Sequence, residues 1–210
     1  MTADSAALPE RLLTTRAVVM LPECTVDQAI APIEVLLQEG LDVVSLPPGS
    51  QLTPQALRDI FGRRLFVGAH DLFTAEDAAW AVGQHAGFAL AMGDAQVNQV
   101  LAGAGLPYAP PALTPTEVAS VWRGGAPAVQ VVPASAFSGA YAAQLAALVP
   151  QVRLIARDAE SSHEVKRWLA AGAVACCLGP KLLGDSLTGG ELGGLRSRAR
   201  AMSDALQGQI

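Results

Sequence analysis

Nine residues with usable chemistry fall at or just beyond the ends of predicted strands: Ser45, His70, Asp71, Gln130, Ser135, Arg157, Asp158, Glu160 and Lys181. In a parallel α/β barrel those ends form the functional face. His70 and Asp71 are adjacent and could act as a base with its orienting carboxylate, or with Asp158 as a metal site. No HxH, HExxH or comparable ligand spacing accompanies them, so the reading is no metal. Arg157 with Lys181 could hold an anion, and a lysine at this face is also a candidate imine former. The competing reading is that strand ends merely carry solvated, loop-compatible residues, which is the default for a single sequence. His85 and His163 fall on helix termini and Lys166 beside Glu164 and Arg167 on a helix, so all three are read as surface residues.

The elements that would position these residues alternate. Apolar runs at Ala17–Leu21, Leu41–Leu46, Arg64–Gly68, Phe88–Met92, Pro107–Ala109, Ala128–Val132, Val152–Ala156 and Ala173–Leu178 read as strands. Between them lie helical patterns at Thr25–Glu39, Thr53–Phe61, Thr74–His85, Ala95–Ala104, Thr116–Trp122, Ala140–Leu148 and Ser162–Ala171, with Gly190–Gln207 closing the series. Thr53 with Pro54 is a helix start, Thr74 with Asp77 resembles a capping box, and Gly40 is a helix stop. A polar start precedes a short N-terminal helix at Leu8–Thr15. Continuously apolar strands separated by helices indicate a parallel sheet buried on both faces. Eight such units in 210 residues predict one domain over residues 1–210, a (β/α)8 TIM barrel slightly shorter than the roughly 250 residues usual for that fold. The three tryptophans, Trp80, Trp122 and Trp168, fall on helices and are read as packing residues.

Several segments carry a family likeness. Val131-Val132-Pro133-Ala134 is similar to the end of a Phe-Lys-Phe-Phe-Pro-Ala strand, and Phe88-Ala89-Leu90-Ala91-Met92-Gly93 to Phe-Ala-Ile-Ser-Pro-Gly. Val67-Gly68-Ala69 matches the start of Val-Gly-Ala-Gly-Thr, Leu106-Pro107-Tyr108-Ala109-Pro110 resembles Ile-Pro-Leu-Ile-Pro, and Gln151-Val152-Arg153 fits the approach to strand seven. Over about Leu12 to Leu183 the chain resembles the 2-keto-3-deoxy-6-phosphogluconate (KDPG) and keto-hydroxyglutarate (KHG) aldolases. That resemblance implies a trimeric barrel cleaving a keto acid through a lysine imine. The functional positions depart from it. Gln130 stands at the imine lysine, Ser45 at the proton-shuttling glutamate, and Gly49-Ser50 at the Arg-Thr pair that grips substrate. His70-Asp71 replaces Gly-Thr, Ala156-Arg157-Asp158-Ala159 replaces the phosphate-binding Pro-Thr-Gly-Gly, and Leu178-Gly179-Pro180 replaces Gly-Gly-Ser. By the same resemblance, Gly139 keeps part of a second phosphate contact, standing where the family has a Gly-Gly at the start of the helix predicted over Ala140–Leu148.

An amide cannot condense with a ketone, and Asp158 would repel a phosphate where glycine N–H groups would hold one. The implied protein is therefore a divergent family member without Schiff-base catalysis, acting as a small-molecule-binding or interaction protein for a small anionic or keto-acid ligand. The alternative is a pyruvate-releasing carbon–carbon lyase with relocated groups, Lys181 as imine former or His70 and Asp71 as acid–base pair. A third reading is another barrel enzyme such as an isomerase.

Composition bounds the rest. A net charge of −5 gives no electrostatic footprint for nucleic acid or an acidic membrane. Three cysteines without a CxxC pair argue against a disulfide framework, with Cys176 and Cys177 read as core residues on opposite faces of one strand. No signal pattern and no apolar run of membrane-spanning length occurs, so a cytoplasmic homo-oligomer without cofactor is expected.

Overall fold

A computed structural model describes residues 7–208; the polar start at 1–6 and residues 209–210 lie outside the described residues. Among the described residues, nine parallel strands form one sheet: β1 (Ala17–Met20), β2 (Val43–Leu46), β3 (Phe66–Leu72), β4 (Ala89–Ala91), β5 (Tyr108–Ala109), β6 (Pro111–Ala112), β7 (Val129–Val131), β8 (Leu154–Ala156) and β9 (Ala175–Leu178). Their order is β5-β4-β3-β2-β1-β9-β8-β7-β6. The two ends of that order, β5 and β6, are consecutive pieces of chain joined at Pro110. The result is a nearly closed (β/α)8 barrel in which the fifth stave is divided, closing through the chain instead of through a ladder. The sequence reading placed one strand at Pro107–Ala109. It is two short pieces because Pro110 and Pro111 have no N–H to donate and interrupt the hydrogen-bonding run.

The helices are α1 (Glu10–Thr15), α2 (Val26–Gln38), α3 (Pro54–Phe61), α4 (Ala75–Gly83), α5 (Ala95–Gly103), α6 (Pro115–Arg123), α7 (Gly139–Leu148), α8 (Ser162–Ala170), α9 (Pro180–Leu183) and α10 (Leu192–Gln207). Their starts are chemically marked. Thr25/Gln28, Thr74/Asp77, Thr114/Glu117 and Ser161/Glu164 form capping boxes, and Thr53 accepts from the Ala56 N–H ahead of Pro54. Gly40 follows α2 at a φ of +81°, the left-handed stop that a glycine adopts without strain. The predicted Thr116 start of the sixth helix lies two residues late, because Thr114 caps it and Pro115 begins it.

The period-2 alternation of each strand separates two environments. Val18, Val43, Leu90, Ala109, Ala128, Ile155, Ala175 and Cys177 pack with Phe88 inside the barrel, where Leu8 and Leu12 join them from the N-terminal segment and α1. Their strand neighbours Val19, Val44, Val129, Leu154 and Cys176 pack outward against the helices. Cys176 and Cys177 thus face opposite sides, and all three cysteines are free and buried. Phe88 occupies the interior beside Gly68, where an added Cβ would sit 2.4 Å from its ring, which accounts for glycine there. Trp168 is fully buried, while Trp80 and Trp122 pack at the edges of the core.

Candidate functional site

The alternation that puts Val43, Ala128 and Ile155 inside the barrel also puts Ser45, Gln130 and Arg157 inside, each two residues further along and one layer nearer the C-terminal mouth. His70 enters the same layer from β3. That strand continues to Leu72 instead of ending at Gly68, so His70 and Asp71 belong to the strand and not to a turn leaving it. The ladder between β3 and β4 shifts register between His70 and Leu72, and Asp71 takes a left-handed φ of +57° at that irregularity. The bulge re-aims two side chains together.

The default reading of these polar residues as solvated strand ends does not hold for four of them. Ser45 and Gln130 are fully buried, and His70 and Arg157 are 4% and 6% exposed. Buried polar groups must find partners, and these find one another. Ser45 Oγ lies 2.9 Å from His70 Nδ1. Arg157 donates to the Asp71 carboxylate and, at 3.4 Å, to Gln130 Oε1. The Gln130 amide donates to the backbone carbonyls of Ala91 (2.8 Å) and Ala109 (2.6 Å). Gln130 therefore ties β7 to β4 and β5 beside the two prolines of the divided stave. The double proline was the one sequence signal of this role.

Burial pushes the His70 imidazole down from 6.5 to about 4, with Arg157 adding to the effect and Asp71 opposing it. His70 is neutral at neutral pH, so its 3.8 Å approach to Asp71 is not an ion pair. Burial pushes Asp158 up, with Asp71 and Glu160 adding to that shift and Arg157 opposing it. Beneath this layer, burial lifts the Cys177 thiol to about 12, so it supplies no thiolate nucleophile.

The remaining candidates stand apart from the network. Lys181, on α9, is 68% exposed and pairs with Glu160, which holds its ammonium charged. Arg157 and Lys181 thus engage different carboxylates. Asp158 is half-buried beside Arg157, and Ser135 is exposed. Ser50 is buried, and its hydroxyl bonds the backbone of Cys24, tying two loops together. Gly139 begins α7 where a Cβ would meet the Arg167 carbonyl at 2.6 Å, so close helix packing accounts for it. His85, His163 and Lys166 are exposed. Among the described residues no cluster of three or more His, Cys, Asp or Glu could hold a metal ion. No helix of the described residues is long and apolar enough to cross a membrane. Chemically, the layer offers a neutral imidazole–hydroxyl pair and a buried guanidinium, with no lysine among its interior groups.

Comparison with known proteins fits this architecture. Residues 9–192 match the family described as KDPG and KHG aldolase. The 2-dehydro-3-deoxy-6-phosphogalactonate aldolase of Escherichia coli (strain K12) is 27% identical over 164 residues, spanning 75% of this chain and 80% of that protein. A native KDPGal structure superposes with a TM-score of 0.81 at 23% identity, covering 92% of this chain and 95% of its own. A cube-shaped, highly porous protein cage designed by fusing symmetric oligomeric domains gives 0.81 at 24% identity, over 92% of this chain and 73% of that one. At such identities the structural matches speak for the fold alone.

Proposed function

Because the chain belongs to the KDPG and KHG aldolase family, we propose that it has abandoned that family's Schiff-base cleavage and uses its barrel mouth to bind a small anionic or keto-acid molecule as a homo-oligomer. The observation that carries this reading is Gln130. Where the resemblance expects an imine-forming amine, a fully buried amide spends both its N–H groups on the Ala91 and Ala109 carbonyls. It is a built-in brace, not a vacated position. Ser45 likewise engages His70 where the resemblance expects a carboxylate to move protons.

A lyase with relocated chemistry is less well supported. Imine formation needs a lysine whose amine is readily deprotonated. Lys181 points into solvent and is held charged by Glu160. The neutral His70 with Ser45 is the one arrangement that favours acid–base work, and it has no imine former beside it.

Borohydride reduction in the presence of pyruvate, followed by intact mass, tests the loss of imine chemistry. The natural chain is expected to stay unmodified, whereas Gln130→Lys with Ser45→Glu should acquire a reduced pyruvate adduct. An adduct on the natural chain that disappears in Lys181→Ala would establish the lyase reading instead. Calorimetric titration with pyruvate and with inorganic phosphate tests binding, and saturable heat from either is the expected result.

A further inference from the structure

Among the described residues Arg157 is the only arginine or lysine side chain taken into the buried interior. Its hydrogen-bond acceptors there are the Asp71 carboxylate and Gln130 Oε1. A guanidinium carries more N–H donors than those two bonds use, and among the described residues no Arg157 nitrogen is both fully buried and unpartnered, so the spare donors are open to a further acceptor at the mouth. Gln130 cannot offer more, since its amide nitrogen is committed to two carbonyls and its oxygen stands 3.4 Å away.

Asp71 is a weakly secured counter-ion. Its side chain is 35% exposed, so it sits at the mouth and not beneath it. Its backbone adopts the left-handed conformation at the bulge of β3, which Asp, like Asn, tolerates better than most residues. Planar carboxylates and guanidinium groups match as paired forks, and Asp71 presents such a group from the protein's own chain. Asp158 and Glu160 lie nearby and act on one another electrostatically, so a second negative charge on a ligand would be repelled.

Resting on the proposed binding role of this same mouth, we infer that Arg157 is its carboxylate hook and Asp71 an internal placeholder, displaced when a small monocarboxylate binds. The ligand's carboxylate takes the one donor that Asp71 relinquishes together with a spare donor, completing the fork that Asp71 only half fills. Asp71 turns outward into water, where its charge is readily solvated. Phosphate, with its higher charge, is the poorer ligand.

The test is calorimetric titration of the full chain with pyruvate and, separately, with inorganic phosphate. Asp71→Asn keeps the shape of the side chain and tolerates the left-handed backbone, while removing the competing charge. It should bind pyruvate roughly tenfold tighter than the natural chain, because the placeholder no longer occupies the competent state. Arg157→Gln should bind neither anion. Arg157→Lys keeps a point charge without the fork and should retain weak binding, which also serves if Arg157→Gln does not fold by circular dichroism. If the natural chain binds pyruvate and Asp71→Asn binds it no better, the placeholder is wrong and the binding role stands. Phosphate binding tighter than pyruvate overturns the carboxylate assignment. If no variant binds either anion, the inference and the binding role both fail.

Discussion

His70 and Arg157 share one buried layer, and only one of them is charged at neutral pH. The difference is desolvation: a guanidinium stays protonated inside a protein, whereas an imidazole gives up its proton when buried. That difference makes a pH prediction. In the unfolded chain His70 takes up a proton below about 6.5, while in the folded chain it does so only near 4. The unfolded state thus binds more protons across that window, and stability rises with pH through it. The contribution is fully present above pH 6.5 and is lost as the pH falls through about 4. At about 1.4 kcal/mol per pH unit it amounts to roughly 3 kcal/mol. Urea unfolding at pH 7 and pH 4.5 should therefore show a larger loss for the natural chain than for His70→Gln. Carboxylates common to both proteins cancel in that comparison, and equal losses would remove His70 from the account. The sequence placed His70 at the correct end of the barrel, because strand ends are readable. It did not indicate that β3 runs on to Leu72, since a His-Asp pair carries little strand preference and the bulge is held by β4, which is distant in sequence.

At the scale of elements, the divided stave is the weak place in the sheet. β5 and β6 contribute two residues each, and Pro110 and Pro111 withhold two donors from the ladder. Gln130 supplies donors from the neighbouring strand, reaching carbonyls on both β4 and β5. Gln130→Ala should leave those two buried acceptors unmatched, at about 1–3 kcal/mol each. Gln130→Met, which keeps the length without the donors, should cost nearly as much. Chemical denaturation measures both, and a Met variant as stable as the natural chain would show that volume rather than hydrogen bonding matters there. Gly139 teaches the same lesson about elements. The resemblance gave it a phosphate-contacting history, but the Arg167 carbonyl beside it explains the absent side chain. Helix starts were legible where a cap chemistry announced them, as at Thr53 and Thr74. The start of α6 was less legible, because the Thr114-Pro115 cap sits inside a run that already contains Pro110 and Pro111.

For the whole molecule, α10 packs against α8 and α2 and completes the helical layer around the first and last strands. Large apolar side chains nevertheless remain at the surface, Phe73 at 58% and Leu148 at 64% exposure. A homotrimer, the form of the proposed homo-oligomer that the family resemblance implies, would give such residues a partner surface. Sedimentation equilibrium should then yield three times the 21.6 kDa of one chain, and a monomer at micromolar concentration would refute the assembly. Chain-wide alternation of apolar strands and capped helices determined the parallel barrel by itself, because hydrophobic period and cap chemistry are local properties of sequence. The same local reading identified Gln130, Ser45, His70, Asp71 and Arg157 as occupants of one barrel face. Only the tertiary structure decided that four of them are buried, that Gln130 is a brace, and that Arg157 meets Asp71 from across the mouth. Burial and pairing depend on groups 86 positions apart in the chain, as Asp71 and Arg157 are, and closure of the barrel is what brings such groups within a hydrogen bond of each other.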